Sequence, residues 1–580
     1  MLSFRNIIIP FLLSLLGIPK ILFAQGLINQ NATIIQKGGN IVTKQNLMNN
    51  GKLLLNNGTI VFSGTQQYIN GQRPIAFKRL WVKSGSTTNI NNNGNTIQSI
   101  LLSDGNLYPN NKLTLLSNSN ETALIDGNGI GEVIGNLTVQ SYFANSYGYK
   151  FLGSPFQNAT VNDYANYVNL SASFPSVYQY AENQLTNGWV NFMNASNTLI
   201  PMKAYAFQFG NNTSPLTISL TGQVNNGTQQ LNLNNNNQPY TKGFHLVSNP
   251  YPSPINWDAA TGWVKTNIDN AIYYFDTDGN NIYTGVYNSY INGISSNGLA
   301  NNIIPAMQGF FVHISDGSYP VLGNLQISNG ARLNSIDKDY RRINDVNNVS
   351  IIRISASLNN YPLKDNLVVY FNQNAQQQFD KTIDAIKLMN TSTKVPNIYT
   401  IKNDTQKLSI HASLLESDFV KIPIGIDIPS NGMVHFQNSI LGNEFNSRYI
   451  YLYDNMLKQY YDLQDSTGLQ LSLSEGIINN RFYIIFSKSP IIQSSYVFED
   501  GTKDDFVVKI FGQQIQVKLL VPNNEQAQIL ISNTSGQTIF IKEYTYSGNY
   551  VINLPLSTGV YFITKKTSKA NSTKKIFIGQ

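Results

Sequence analysis

The sequence contains no cysteine, which excludes disulfides, zinc–thiolate sites, iron–sulfur clusters and thiol nucleophiles. Charged residues make up only 12% of its 580 residues, about half of the share that is usual in globular proteins. No run of five or more lysines and arginines occurs, and the net charge of +7 reads as a diffuse surface charge, so no nucleic-acid partner is expected. No segment beyond the N-terminus holds 18 consecutive apolar residues, so the mature chain should have no transmembrane helix.

The residues that are abundant favour β structure. About one residue in seven is asparagine, and 42 glycines add to this supply of turn-forming residues. The 33 tyrosines and 29 phenylalanines are residues that prefer strands. Because a single core rarely grows beyond roughly 300 residues, the chain should fold as several domains. The composition therefore predicts an all-β protein and argues against helical bundles and doubly wound α/β folds.

The N-terminus has the features of a secretory signal peptide at residues 1–24. Arg5 supplies the positive charge, residues 7–23 are mainly apolar, and Ala24 is a small residue before the expected cleavage in front of Gln25. The alternative is an uncleaved membrane anchor, which two prolines and a lysine within the apolar stretch disfavour. We therefore expect export and a mature protein that begins at Gln25.

Residues 25–140 combine short apolar stretches with Asn/Gly corners. The segment 49–62 shows the pattern, because asparagine–glycine turns there enclose a short apolar strand. Short strands at regular spacing with stacked asparagine corners predict a β-solenoid-like region, such as a parallel β-helix. A meandering β-sandwich is the alternative.

An internal repeat follows, in which two pairs of segments match at offsets of 95 and 105 residues. The matched segments are 148–156 with 243–251, and 202–209 with 307–314. Each copy opens with an aromatic strand that ends at a proline and closes with a strand of alternating apolar residues. We predict two β modules, at 141–240 and 241–335. In these modules Pro155 should overlie Pro250, and Tyr205 should overlie Phe310.

The remaining sequence predicts two further β units. Residues 345–490 contain fewer asparagines and several apolar strands, which is typical of a β-sandwich. Within them, residues 379–388 could form one short helix or a loop. Residues 497–580 contain six short alternating stretches and form a separate, small β-sandwich in this interpretation.

The C-terminal unit resembles the type A C-terminal sorting domain of cargo of the bacterial type IX secretion system. The matching residues are the strand–turn–strand at 529–537 with Gly536, the sequence Gly559-Val560-Tyr561, and the closing Lys574-Lys575-Ile576. The resemblance implies contact with the type IX secretion machinery, export across the outer membrane, removal of the domain and often anchoring to surface lipopolysaccharide. An ordinary small β-sandwich is the alternative. If Gly559 adopts a positive φ at the turn into the strand that starts at Val560, a β-branched residue in its place should be strained.

Upstream segments resemble modules of large, uncharacterised bacterial cell-surface proteins. The matching segments are 249–258 and 305–312 in the second repeat. Residues 380–400 resemble the sandwich that often precedes a sorting domain. Because these families have no assigned catalytic residues, the resemblance assigns none here.

A search for chemistry among the residues finds little. The four histidines never occur at i, i+4 spacing, and no nucleophile elbow or phosphate-binding loop is present. His245 and His313 are interpreted as surface positions of strands. Residues 276–280 begin like a calcium loop, but an Asp-Gly hairpin turn explains them better. Asp104 and Asp126 each precede a glycine, so a role in forming a turn explains both residues without a catalytic function.

The tryptophans are the candidates for stacking on sugar rings. Trp81 and Trp189 are the open candidates, whereas Trp257 and Trp263 are better explained as core residues of the repeat. No catalytic, cofactor-binding or metal-binding residue is assigned, and no cofactor is expected.

Two hypotheses about the function remain open. The first is a non-catalytic surface protein that acts as an adhesin or contacts glycans or matrix. The second is a secreted polysaccharide-acting hydrolase or lyase with scattered acidic residues.

Overall fold

The computed structural model describes residues 26–491 and 506–578, except for short gaps at 212, 280, 335–348, 416, 443–444, 446, 465–467, 512–513, 520, 522–524 and 546–547. The predicted signal peptide, its cleavage site at Ala24 and Gln25, and the predicted domain boundary at residue 497 lie outside the described residues. The described residues form strands and two short 3₁₀ helices, at Val161–Tyr164 and Asn329–Ala331, so the predicted all-β class is confirmed.

The first region is a β-solenoid-like stack of parallel strands. Its strands are β1 Leu27–Asn29, β2 Thr33–Gln36, β3 Asn40–Thr43, β4 Leu47–Asn49, β5 Lys52–Leu55, β6 Thr59–Phe62, β7 Gln66–Asn70, β8 Ala76–Val82, β9 Thr87–Ile90, β10 Asn95–Ser103, β11 Asn106–Tyr108, β12 Leu113–Leu115, β13 Leu124–Ile125 and β14 Asn136–Phe143. One sheet has the order β1-β4-β7-β9-β11, and the other runs from β2 through β5, β8, β10 and β12 to β14. All of these pairings are parallel, so the solenoid prediction is confirmed and the antiparallel meander is wrong.

Stacked asparagines and buried apolar side chains hold successive turns of the solenoid together. Asn29 donates a hydrogen bond from Nδ2 to Asn49 Oδ1 at 3.0 Å, twenty residues along the chain. Leu47, Ile69 and Leu107 fill the interior. The last turn is covered, because β14 pairs antiparallel with β19 of the next region. A parallel edge that would otherwise be open for pairing is thus closed at this end.

The two repeats follow the solenoid. The first contains β15 Tyr149–Leu152, β16 Val177–Tyr180, β17 Trp189–Asn191, β18 Tyr205–Gln208, β19 Leu216–Gln223 and β20 Gln229–Asn235. The second contains β21 Phe244–Ser248, β22 Ile255–Asn256, β23 Trp263–Thr266, β24 Ile268–Thr277, β25 Gly285–Ile291, β26 Ile294–Ser295, β27 Ile303–Ile304, β28 Gly309–Ile314 and β29 Val321–Ile327. The sheet orders β15-β18-β16-β17 and β21-β28-β24-β25 correspond strand by strand.

The two repeats also share one register. Leu152 lies opposite Tyr205 in the first sheet, and Val247 lies opposite Phe310 in the second, which are the positions that the two offsets make equivalent. Tyr205 and Phe310 therefore occupy like strands, as the repeat predicts.

The contact between the repeats is reciprocal. The amide of Gly153 donates to Met307 O at 2.8 Å, and the equivalent amide of Ser248 donates to Met202 O at 2.7 Å. Both methionines have a positive φ, 64° for Met202 and 65° for Met307. The repeats are thus related by a pseudo-two-fold axis and pack on each other as two halves of one unit.

The region after the repeats is a single large mixed sheet around a common core. Its strands are β30 Ile351–Leu358, β31 Asp365–Phe371, β32 Ala385–Ile386, β33 Asn397–Lys402, β34 Gln406–Ser413, β35 Phe419–Ile428, β36 Gly432–Leu441, β37 Tyr449–Asp454, β38 Gln459–Asp462, β39 Leu469–Leu473 and β40 Gly476–Ser487. Strands far apart in the sheet share one buried cluster, in which Ile352, Ile424 and Phe482 take part. Residues 379–388 form a turn that leads into β32, so the loop alternative is the correct one there.

The C-terminal unit is a small sandwich of two antiparallel sheets. Its strands are β41 Phe506–Phe511, β42 Gln514–Leu519, β43 Ala527–Asn533, β44 Thr538–Tyr544, β45 Gly548–Asn553, β46 Gly559–Thr567 and β47 Asn571–Ile578. The sheet orders are β41-β42-β45 and β44-β43-β46-β47. The two sheets enclose their own core, which contains Val517, Ile529 and Ile563.

Candidate functional site

An aromatic cleft lies where the two repeats meet. It encloses a cavity of about 250 Å³, which is smaller than the roughly 300–1,000 Å³ of sites for drug-sized ligands. Its lining residues are Tyr149, Phe151, Tyr178, Asn187, Trp189 and Ala206 from the first repeat, Phe275, Tyr283 and Tyr287 from the second, and Thr391 from the following sheet. A cavity of this size and composition fits one ring-shaped group with an apolar face.

The rings in this cleft are held by one another. Phe151 stacks on Phe275 across the repeat boundary, with centroids 4.9 Å apart and planes at 20°. Trp189 lies 5.4 Å from Phe151. Tyr283, on the loop between β24 and β25, lies 5.5 Å from Tyr149 and is half exposed. The walls are therefore rigid, and the mouth of the cleft reaches solvent at Tyr283.

One small residue lines the cleft at a position where the second repeat has an aromatic ring. Ala206 lies opposite Phe151 in the first sheet, whereas Phe311 lies opposite Leu246 at the equivalent place in the second. The Phe311 ring fills its side of the shared core, at 5.0 Å from Tyr180 and 5.6 Å from Tyr287. Alanine at 206 has no corresponding ring and is one of the residues that line the cavity.

The polar groups of the cleft are neutral. None of the described lining residues is acidic or basic. Burial raises the pKa of the Tyr149 phenol above its ordinary value, and burial likewise raises the pKa of Tyr178. Tyr149 Oη donates to Pro175 O at 2.5 Å, and Thr391 Oγ1 accepts from the Gly285 amide at 3.1 Å. These hydroxyls can hydrogen-bond to a ligand, but proton transfer by a phenolate is disfavoured.

A second, polar cavity of about 330 Å³ shares Tyr149, Phe151 and Phe275 with the cleft. Lys150 and Asp276 also line it. Burial lowers the pKa of Lys150, and burial raises the pKa of Asp276, whose carboxylate accepts a hydrogen bond from Asn288 at 2.6 Å. One acceptor and one donor of opposite charge thus lie beside the aromatic wall.

The structure separates the four tryptophans. Trp189 lies in the cleft. Trp81 is engaged elsewhere, because its indole donates to Asp104 Oδ2 at 2.7 Å and the Lys83 ammonium lies 3.1 Å from its ring centroid. Trp257 is fully buried, and Trp263 packs against it.

The prediction of a surface position is wrong for His313, whereas His245 is partly exposed. His313 is buried, and its Nδ1 lies 2.6 Å from Asp269 Oδ2. His245 Nε2 lies 2.6 Å from the carbonyl of Asn234, and burial lowers its pKa to about 4. Every residue of β28 is buried, so alternation along that strand brings no side chain to solvent, and His245 is the one partly exposed residue of β21.

The possible calcium loop is a hairpin connection. The carboxylate of Asp278 accepts hydrogen bonds from Ser392 at 2.9 Å, from Thr284 at 3.3 Å and from Tyr361. These contacts leave the loop tied to the following sheet, and Asn280 lies outside the described residues. Among the described residues, no group of three or more potential metal ligands was found.

Asp126, like Asp104, has structural partners. It is buried and accepts a hydrogen bond from the Ser103 amide at 2.9 Å. Arg332 of the second repeat donates from Nη2 to Ile125 O at 2.5 Å and so ties that repeat to the solenoid. Burial lowers the pKa of Arg332 to about 10.

The C-terminal motif residues meet in two adjacent strands. Val560 of β46 lies opposite Phe577 of β47, and Tyr561 lies opposite Ile576. Tyr561 is buried, and its hydroxyl donates to Ser557 O at 2.8 Å. Lys574 and Lys575 point to opposite faces of this sheet, as successive strand residues must.

The two motif glycines differ in conformation. Gly536 has a φ of +83° in the turn between β43 and β44, where a side chain would be strained. Gly559 is not among the residues with positive φ, so the condition for strain by a β-branched residue is not met there. Gly559 begins a regular strand pair and needs no left-handed backbone.

The charge of the chain is concentrated at its C-terminal end rather than diffuse. Residues 506–580 hold eight lysines, two glutamates and no other charged side chain, a net +6 of the total +7. Within the described part of the chain, no helix is long and apolar enough to cross a membrane.

Comparisons with known proteins define the class first. Residues 512–579 match the model of the secretion system C-terminal sorting domain. The chain is therefore a cargo of the type IX secretion system, which delivers it to the cell surface or the extracellular space. Contact with the secretion machinery follows from this domain.

The family is defined by the long region that precedes the sorting domain. Residues 43–486 match the model described as a domain of unknown function, DUF8693, and the chain belongs to that family. No curated protein matches the chain. A solved structure described as "Biofilm associated protein - BSP domain" is 11% identical over 76% of this chain and 92% of that chain, with a TM-score of 0.13. At that score the likeness carries no argument.

Proposed function

We propose that this secreted protein is a non-catalytic surface protein that contacts glycans through the aromatic cleft. The observation that supports the proposal is the cavity behind Trp189 and Phe275, which is bounded by ring faces and neutral hydroxyls. The C–H groups of a sugar ring are attracted to the negative face of an aromatic ring, and its hydroxyls need hydrogen-bond partners.

The absence of charge within the cleft supports binding without catalysis. Glycoside hydrolysis requires two carboxyl groups flanking the bond to be broken. The described residues that line the cleft supply none, and those that line the polar cavity supply only Asp276. Retention at the cell surface through lipopolysaccharide, or a role as an adhesin, would place the cleft where extracellular glycans are found.

Binding to a glycan array by the purified full-length chain tests this proposal. Glycans that bind are then titrated against three variants. Trp189→Ala removes one stacking wall and should weaken binding about tenfold, which corresponds to 1.4 kcal/mol. Ala206→Phe restores the ring that the second repeat has and should abolish binding. Tyr460→Ala changes a half-buried tyrosine of β38 outside the cleft and should leave affinity unchanged.

Two outcomes would contradict the proposal. One is equal binding by the wild type and the Ala206→Phe variant, since a filled cavity cannot hold a ligand. The other is release of new reducing ends or unsaturated products from a bound glycan, which would indicate a hydrolase or lyase instead.

A further inference from the structure

The first part of the solenoid is a second basic segment, and it carries charge of one sign only. Residues 26–103 contain five lysines, two arginines and no aspartate or glutamate. Acidic residues are not scarce in the chain, because residues 104–505 contain 30 of them and 22 basic residues. A concave surface whose charges all have one sign attracts ligands of the opposite sign. The solenoid therefore provides a surface for an anionic ligand.

A groove of about 550 Å³ lies on this part of the solenoid. It runs over the two-residue turn at 50–51, which joins β4 to β5. The neighbouring turns are longer, with three residues at 30–32 and five at 71–75, and both contribute residues to the groove walls. The volume lies within the roughly 300–1,000 Å³ of ligand sites and is about twice that of the aromatic cleft.

Two cations line the groove, and none of its described lining residues is acidic. They are Lys52 and Arg73, which are both exposed. Neither side chain makes a hydrogen bond or an ion pair with another residue that the structure describes. Other cations of the segment are engaged, since Lys78 pairs with Glu121 at 2.7 Å and the Lys83 ammonium lies over a tryptophan ring. The charges at the groove are thus available to a ligand.

Neutral hydrogen-bonding groups lie beside the two cations. Strand register places Thr33 directly opposite Lys52, and Thr96 lines the same groove. Within the described part of the chain, the two threonine hydroxyls have no hydrogen-bond partner. Asn50 holds the neighbouring turn in place, because its Oδ1 accepts a hydrogen bond from the Gln72 amide at 3.0 Å. The groove therefore combines fixed turns, free hydroxyls and positive charge.

We propose that this groove binds an acidic polysaccharide, whose carboxylate or sulfate groups pair with Lys52 and Arg73. The planar guanidinium fork of Arg73 matches two oxygens of such a group. The hydroxyls of Thr33 and Thr96 match the hydroxyls of the sugar rings. The site lies on the solenoid, apart from the aromatic cleft, and the proposal does not depend on glycan binding there.

Nucleic acid matches the groove less well than a polysaccharide does. Sites for single strands hold aromatic rings on which the bases stack, and the described lining residues of the groove include none. Affinity for a duplex comes from many phosphate contacts, whereas this groove provides two cations.

Binding of the purified full-length chain to immobilised dextran sulfate and polygalacturonate tests the proposal, with uncharged dextran as the reference. Arg73→Gln and Lys52→Ala should each weaken binding to the acidic polymers about tenfold, because each removes a charge-assisted contact. Arg73→Lys keeps the charge without the fork and should lose less than Arg73→Gln. Lys44→Ala is the matched control, because Lys44 is exposed in another turn of the solenoid outside the groove.

A second control addresses the basic C-terminal part. Lys566→Ala removes an exposed charge from the sorting domain and, like Lys44→Ala, should leave affinity unchanged. The exposed side chains of Lys52 and Arg73 make no contacts that hold the fold, so both variants should keep the wild-type melting temperature.

Three results would overturn the proposal. The first is an equal loss of affinity for Lys52→Ala and Lys44→Ala, which would indicate general attraction between charges rather than a site. The second is equal binding of dextran and dextran sulfate, or no binding of either acidic polymer. The third is tighter binding of single-stranded or duplex DNA than of both acidic polysaccharides, which would assign the groove to nucleic acid.

Discussion

The two repeats have the same strand order and register, yet they place side chains of different size at equivalent positions near the cleft that they share. The difference is Ala206 in the first repeat and Phe311 in the second, at equivalent positions opposite Phe151 and Leu246. Two copies of one scaffold thus differ at this place in the size of a single side chain.

The repeats also differ where they touch each other. Near the pseudo-two-fold axis, Gly153 of the first repeat faces its own equivalent, Ser248. Gly309 of the second repeat packs against Ala204, which is its equivalent in the first. Each pair thus combines glycine with a slightly larger residue. Two larger residues would not fit, so the copies have diverged in a complementary way.

The largest expected effect on the free energy of unfolding comes from removing the buried ring of Phe311. Phe311→Ala should reduce the free energy of unfolding by about 3–5 kcal/mol, because it removes a buried ring that contacts both repeats. Urea denaturation measures the change. Phe311→Leu is the control and should lose much less. A loss below about 1 kcal/mol for Phe311→Ala would show that the repeats do not share this core.

Acid should destabilise the second repeat through His245, whose equivalent in the first repeat is Lys150. Burial lowers the pKa of His245 to about 4, compared with an unfolded value of 6.5. The folded state therefore favours the neutral ring. The contribution of His245 to the free energy of unfolding is therefore complete above pH 6.5. This contribution falls by about 3 kcal/mol as the pH decreases to about 4.

Unfolding measured between pH 7 and pH 4 for the wild type and His245→Gln tests this expectation. The substituted chain should lose less stability over that range. His411, whose pKa burial lowers to about 3, contributes in the same direction to both proteins and so cancels in the comparison. Identical pH profiles would mean that His245 is not desolvated.

A smaller loss of stability is expected from adding a methyl group at Gly309, where the two repeats are in close contact. A Cβ at Gly309 would lie 2.8 Å from the carbonyl carbon of Phe151 and 2.9 Å from Ala204 Cβ. Gly309→Ala should therefore cost about 1–3 kcal/mol of stability through overpacking. Gly279→Ala is the matched control, because a Cβ there meets nothing within 4 Å. Equal melting temperatures for the two variants would contradict the close contact.

The smallest effect on stability should come from Ala206→Phe. The second repeat accommodates phenylalanine at this place, so the unfolding free energy should change by less than about 1.5 kcal/mol even though the cavity is filled. Thermal melting measures stability, and fluorescence of Trp189 reports the new ring beside it. A large loss of stability would show that the walls of the cleft cannot adopt the arrangement of the second repeat.

Much of the fold was predictable because it depends on local patterns. Asn/Gly corners and five-residue strands predicted a solenoid, and the stacking of Asn29 on Asn49 is the contact that such corners make. The matched segments that contain Tyr205 and Phe310 predicted like strands, because repeated sequence carries repeated alternation. The residues of the C-terminal motif indicated the sorting domain, which the match of residues 512–579 confirms.

The histidines show where pattern reasoning failed. His245 and His313 align with Lys150 and Gln208 of the first repeat, and this alignment with polar residues favours surface strand positions for both. In the structure β28 is buried on both sides, with Phe310 packed in one cluster and Phe311 in another. Periodicity gives the face on which a side chain lies, but only the packing of other layers determines whether that face meets water.

By itself, the sequence determined the all-β class, the repeat and the export signal, since each is written in neighbouring residues or in copies of one segment. Only the tertiary structure decided that Phe151 and Phe275, 124 positions apart, would stack and form a cleft with Trp189. The alanine at 206 was visible from the start, but its meaning depended on which rings the fold would bring around it. A cavity arises from the mutual placement of distant strands, and no local pattern of residues specifies that placement.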